Sequence, residues 1–275
     1  MLRLRSAVIV PQYIDAVIDI LMPRTANQPP DFAVRGVASQ SEQSFYLMAS
    51  NSPTDGQYYQ VASDGSLAAR VLVRARDRIY ADFTTWAAPT PSTTVLDVGV
   101  SDVMTDGANL LERLYPHSCQ ITASGLGEGV AFRARFPDIT YVQILPNHRL
   151  PFADRQFDIA CANAVLEHVG SDAGQRQFVS ELARVARRVY VTVPNRYFPV
   201  EHHTAIPLFH WFDITFRLAC AVFGKTEWTR AENLILMSKS RLKALCPPMV
   251  RSEVGPTGLM LGPFSSNLYL RFDKE

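Results

Sequence analysis

The chain lacks most of the features that would point at once to a metal, a membrane or a polyanion. Its four cysteines, Cys119, Cys161, Cys220 and Cys246, stand far apart and form no CxxC pair and no Cys/His cluster of metal-ligand spacing, so neither a metal site nor a disulfide framework is expected. Surplus charge is missing too. With 27 Lys+Arg against 26 Asp+Glu the formal charge is +1, too small for a global field that gathers nucleic acid or an anionic bilayer. No stretch reaches the ~18 uninterrupted apolar residues of a spanning helix. The nearest, Leu208 to Gly224, is broken by His210, Asp213 and Arg217. The opening MLRLRSAVIV is cut short by Pro11, Gln12, Asp15 and Asp19 before it resembles a secretion signal. The expected setting is cytoplasmic, with reduced thiols.

What remains is ordinary globular usage, 47% hydrophobic and 19% charged over 275 residues, enough for one large domain and an extension. Residues 1–65 are punctuated by Pro29, Pro30 and Pro53 without a sustained period and read as an N-terminal extension, with the main domain over 66–275. From Ser66 a helix is predicted, with Leu72, Ile79, Phe83 and Trp86 near one face and Arg70, Arg74, Arg76 and Asp77 free to point to water.

Strand and helix patterns then alternate. TTVLDVG reads as a buried strand followed by the helix ANLLERLY; CQITASG is followed by VAFRARF; YVQIL, FDIACANAV and VYVTV are three further strands. SDAGQRQFVSELARVARR is a crossover helix capped by Ser171 or Asp172, with Phe178, Leu182 and Val185 on one face. The alternation predicts a doubly wound α/β fold with a mostly parallel sheet. A helix around Ser238 to Leu245 and two strands, Val250 to Val254 and Asn267 to Phe272, are expected to close it as an antiparallel hairpin.

Val95-Leu-Asp-Val-Gly-Val-Ser-Asp102 puts a carboxylate near the end of the first strand and a glycine at a tight turn, the edge where open α/β sheets bind ligands. Alone it also fits a tight βα turn with a solvated Asp97. The order of VLDVG, then Leu150-Pro-Phe-Ala-Asp-Arg-Gln-Phe-Asp158, IACANAVLEHV and ELARVARR is more specific. In that order, over roughly Leu72 to Asn195, the chain resembles the class I methyltransferases, in particular the small-molecule subgroup called methyltransferase type 11.

The resemblance implies a Rossmann-like, seven-stranded sheet with S-adenosylmethionine across its C-terminal strand edges. Asp97 and Gly99, with Ser101 in the same loop, then match the motif that holds the methionine portion. Asn163, Leu166, Glu167 and His168 map to the loop that approaches the sulfonium, with backbone contact from Ala162 and Asn163. His168 reads equally as a histidine bonded to a neighbouring backbone group at a helix start, and Glu167 as a helix-start charge.

The chain departs from the family pattern in three places. Further glycines are missing from the first loop, where Val100, Ser101 and Asp102 follow and Gly107 stands too far on. Gly125 occupies the position of the ribose-binding acid, leaving Glu128 as the nearby replacement. Pro146 stands where an acid would face adenine, with Asn147 beside it to bond the base edge. Gly125, Gly127 and Gly129 do not have the spacing of a dinucleotide fingerprint.

After the fifth strand, Pro194-Asn-Arg-Tyr-Phe-Pro-Val-Glu-His-His-Thr204 concentrates polar groups on a proline-stiffened loop. His203, then His202, is the candidate base for removing an acceptor proton, with Glu201 orienting it. The alternative is a purely structural pairing of these histidines with Glu201. Residues 206–223, rich in aromatics, read as core or dimer surface, as a lid over an apolar substrate, or as a peripheral membrane contact. The expected activity is transfer to oxygen on a small-molecule acceptor, not to nucleic acid, since charge is balanced and no Asn-Pro-Pro-aromatic tetrad is present. The alternative, favoured by the missing acids, is a degenerate methyltransferase-like domain serving as a binding or structural subunit.

Overall fold

The computed structural model describes residues 67–275 apart from Asp106, Met249 and Glu275, and the expected N-terminal extension lies outside them. Within this span seven strands form one sheet in the order β3-β2-β1-β4-β5-β7-β6. The strands are β1 (Val95–Val98), β2 (Ile121–Gly125), β3 (Thr140–Gln143), β4 (Phe157–Asn163), β5 (Ala186–Pro194), β6 (Ser252–Leu261) and β7 (Phe264–Asp273). Strands β1 to β5 pair in parallel, while β7 runs antiparallel to both neighbours. This is the doubly wound, mostly parallel sheet that the alternating pattern predicts, with the seven strands that the resemblance implies.

The helices are α1 (Leu67–Ala87), α2 (Leu110–Leu114), α3 (Val130–Arg135), α4 (Asp172–Val185), α5 (Asp213–Val222) and α6 (Lys239–Ala244). Two apolar clusters lie on opposite faces of the sheet. One joins Leu96, Ala160 and Val191 to Leu182 and Val185 of α4; the other joins Val95, Ile121 and Ile159 to Ile79 and Phe83 of α1. Neighbouring residues of β1 thus feed different layers, as a strand buried on both faces requires.

Ser171 caps α4, its Oγ accepting the Gly174 N–H at 3.0 Å. The end of that helix secures the LPF segment. The Arg184 guanidinium donates to the carbonyls of Leu150 and Phe152 and to Asp154, and Glu181 accepts the Leu150 N–H. The ELARVARR signature therefore fastens a loop as well as making a helix.

Two expectations change. The hairpin strands are longer than predicted, because Gly255, Pro256 and Gly258 lie inside β6, an edge strand with a register shift between Thr257 and Met260. An edge tolerates the proline, whose missing N–H needs no partner there. Arg76, expected to face water, is partly buried and lines a cavity, because the sheet edge rises beside the N-terminal half of α1.

Candidate functional site

A cavity of about 450 Å³ opens along the C-terminal ends of β1, β2, β4 and β5. Strand order reverses between β1 and β4, which places it at the switch point where such sheets bind ligands. Its volume falls in the range of sites for small molecules and cofactors.

The β1 loop forms the floor. Gly99 has φ +102°, and a Cβ there would stand 2.2 Å from Val165 Cγ2, so only glycine lets the β1 and β4 loops meet. The loop that lacks glycines is held instead by side chains. Asn109 accepts the Ser101 N–H and donates to the Ser101 carbonyl, at 3.0 and 2.9 Å. Asp102, in the family's glycine region, accepts the N–H groups of Val130 and Phe132 at the start of α3.

Gly125 also has a steric reason. A Cβ there would lie 2.5 Å from the Val100 carbonyl oxygen. The acid missing from the end of β2 is thus excluded by the close approach of the β1 loop, and backbone alone faces the cavity at that point.

Of the residues singled out for the cofactor, Gly99, Ser101, Gly125, Asn147 and His168 line the cavity. Asp97 is buried beneath the floor at 5% exposure, where burial raises its carboxyl to about 7 against the opposing pull of Arg76. Glu112 of α2, also buried, is raised by burial and by the charge of Asp97, and neither of its carboxylate oxygens is hydrogen-bonded.

Besides Asp97, four residues singled out for the cofactor fall outside the cavity. Glu128 is exposed on the loop after β2, since the chain turns away beyond Gly127. Ala162 is still inside the sheet, because β4 runs on to Asn163, whose side chain accepts a hydrogen bond from the Thr192 hydroxyl. Leu166 is fully buried in the core. It is Ala164, at φ +57°, and Val165 that reach the cavity as the chain leaves the sheet.

The loop after β5 brings His202 and His203 to the same cavity. His203 Nδ1 lies 2.9 Å from Glu201 Oε1, and Glu201 Oε2 accepts the backbone N–H groups of His203 and Thr204 and the Thr204 hydroxyl. The carboxyl of Glu201, despite burial, is held well below its ordinary range by His203 and these donors, and its charge raises the imidazole of His203. Glu201 itself does not line the cavity. His202 is open to solvent and packs edge-on against Phe198.

His168 packs edge-on against His203, ring centroids 4.9 Å apart, with its Nδ1 donating to the Asn233 carbonyl at 2.6 Å. Burial lowers its pKa to about 4, so the ring is neutral near pH 7. Glu167 behind it is raised to about 7, chiefly by burial.

Residues 102–189 match the family model of a methyltransferase domain. No curated protein matches in sequence. Among solved structures, one described as a putative Zn-dependent alcohol dehydrogenase from Rhodobacter sphaeroides superposes with a TM-score of 0.53 at 12% identity, over 87% of this chain and 100% of that one. The methyltransferase domain of bacterial CtHen1 gives 0.47 at 18% identity, over 74% and 99%. A possible histamine N-methyltransferase from Thermotoga maritima gives 0.45 at 15% identity, over 75% and 94%. At these identities the likeness concerns the fold.

Proposed function

We infer that this chain, an S-adenosylmethionine-dependent methyltransferase of class I by its matched domain and sheet order, methylates an oxygen of a small-molecule acceptor. The observation that carries the choice of oxygen is the His203–Glu201 pair at the cavity wall.

The residues present fit the cofactor. The β1 loop turns on a glycine that no other residue can replace, the wall at Gly125 is bare backbone, and Arg76 lines the cavity. Gly99 and Ser101 would hold the methionine end, with Asp97 buried beneath them, and Asn147 with backbone around Gly125 the adenosine. When bound, S-adenosylmethionine supplies an electrophilic methyl group. An aligned acceptor then needs little beyond loss of its hydroxyl proton.

His203 supplies that loss. Its Nδ1–H is fixed on Glu201, so the lone pair of Nε2 is the site that takes the proton, and the buried carboxylate stabilises the imidazolium that forms. His202 lies beside it at the cavity.

Beyond the loop, α5 buries Phe216, Ala219 and Cys220 and leaves Ile214, Leu218 and Val222 at 75%, 63% and 81% exposure. Phe212 and Phe223 extend this apolar face. It supports a peripheral membrane contact and an apolar or lipid-linked acceptor. Among the described residues no helix is long and apolar enough to cross a membrane. All four cysteines are free thiols, which fits a cytoplasmic setting.

Incubation with cofactor carrying a labelled methyl group and a panel of hydroxylated small molecules, sugars and lipid-linked alcohols tests the reading. The label is expected on oxygen by mass spectrometry and NMR; transfer to nitrogen or carbon would overturn it.

A further inference from the structure

We propose that Glu167, His168 and His203 form a site for one divalent transition-metal ion at the wall of the cavity. The proposal rests on the methyltransferase reading for the ion's use, but not for its binding.

A carboxylate oxygen and one nitrogen from each imidazole lie within 4.8 Å of one another. Glu167 and His168 come from the single helical turn that follows β4, and His203 from the loop after β5. Sequence spacing could not join them, because two loops far apart in the chain meet only once the sheet has formed.

Glu167 is the informative member. It is 1% exposed, and neither of its oxygens has a hydrogen-bond partner. Buried carboxylates are almost always paired, bonded or on a metal, so a bare one beside two imidazoles marks a cation-binding position.

Both imidazoles are oriented from behind. The Asn233 carbonyl can only accept, so His168 carries its proton on Nδ1 and its lone pair on Nε2. Glu201 imposes the same tautomer on neutral His203, and the Trp228 ring packs against it with centroids 5.0 Å apart. A carbonyl or carboxylate fixing the far nitrogen is the usual support behind a metal-bound histidine.

Two imidazoles and a carboxylate favour zinc, iron, cobalt, nickel or manganese over magnesium or calcium. Bonds of about 2.0 to 2.2 Å require the three groups to draw in by roughly an ångström, within reach of χ rotations. His168 and His203 line the cavity, so open coordination positions would face the acceptor. With the ion in place, His203 Nε2 is a ligand and no longer takes the acceptor proton, a role that it keeps in the metal-free chain. The ion then polarises the acceptor hydroxyl, whose proton leaves to solvent at the cavity mouth.

The test uses the full chain, stripped with chelator and dialysed, then titrated with Zn²⁺ by calorimetry and with Co²⁺ by visible absorption. One ion per chain is expected, with Co²⁺ bands of a nitrogen and oxygen site. Glu167→Gln and His168→Ala should weaken binding at least 100-fold, and Glu201→Gln, which keeps all three ligands, about 10-fold. No saturable binding at micromolar ion, or equal affinity in wild type and all variants, would overturn the proposal, the latter as an adventitious ion only. Should a ligand variant fail to fold by circular dichroism, the comparison of wild type with Glu201→Gln decides. S-adenosylhomocysteine is titrated into the same stripped protein. Its binding without any metal affinity overturns the metal site alone, whereas failure to bind it with or without metal overturns the methyltransferase reading.

Discussion

Glu201 grips His203 twice, through Nδ1 at 2.9 Å and through the backbone N–H at 2.9 Å, with one carboxylate oxygen on each. Such a grip fixes both the tautomer and the direction of the ring. His203→Ala should therefore lower turnover about 10²- to 10⁴-fold and leave the dissociation constant for S-adenosylhomocysteine within about twofold. Steady-state kinetics with calorimetry reads both. Lost cofactor binding would make the loop structural, and full turnover would leave alignment as the whole mechanism.

The ribose end gives a paired prediction. Gly125→Ala places a methyl group 2.5 Å from the Val100 carbonyl and should weaken cofactor binding at least tenfold. Glu128→Gln, at an exposed position outside the cavity, should leave it unchanged. A loss in the second variant would return Glu128 to the ribose.

Much of this was legible in the sequence, and the failures have physical causes. The strand order and crossover helix follow from apolar runs, alternation and a serine cap, which are local signals. Gly99 was legible because a tight turn demands glycine. The cavity-lining role of Arg76 was not, since a helix in isolation gives an arginine no reason to face anything but water. The cavity begins one residue beyond Asn163 because the end of β4 is set by pairing with β5, where Asn163 still stands opposite Thr192. The approach of Glu167 to His203 joins two loops that no periodicity connects.

The buried pair of Asp97 and Glu112 sets a pH dependence. Burial raises both, Asp97 to about 7, so the folded chain keeps protons that the unfolded chain releases from about pH 4 upward. Their contribution to stability is therefore full below pH 4 and is lost as the pH rises towards and beyond 7. Glu112→Gln removes one ionisation and should stabilise the chain at pH 8 by roughly 1 to 2 kcal/mol, or about 2–4 °C in Tm. Thermal unfolding of both proteins from pH 5 to 8 checks this; a variant that is no more stable at pH 8 than at pH 5, relative to wild type, contradicts it.

The apolar face of α5 gives a prediction independent of the cavity. Ile214→Asp combined with Leu218→Asp removes two side chains that are 75% and 63% exposed. Co-sedimentation with vesicles containing anionic lipid should fall at least tenfold, while cofactor binding stays as in wild type. Equal sedimentation of both proteins would contradict a membrane role for this face.

Calorimetric titration of the wild-type chain with S-adenosylhomocysteine addresses the cavity itself. A single site per chain with a micromolar dissociation constant is predicted, weakened by at least an order of magnitude in Gly99→Val, whose side chain would occupy the space of Val165. Absence of heat at millimolar ligand, with the protein folded, would contradict the assignment of this sheet edge to the cofactor.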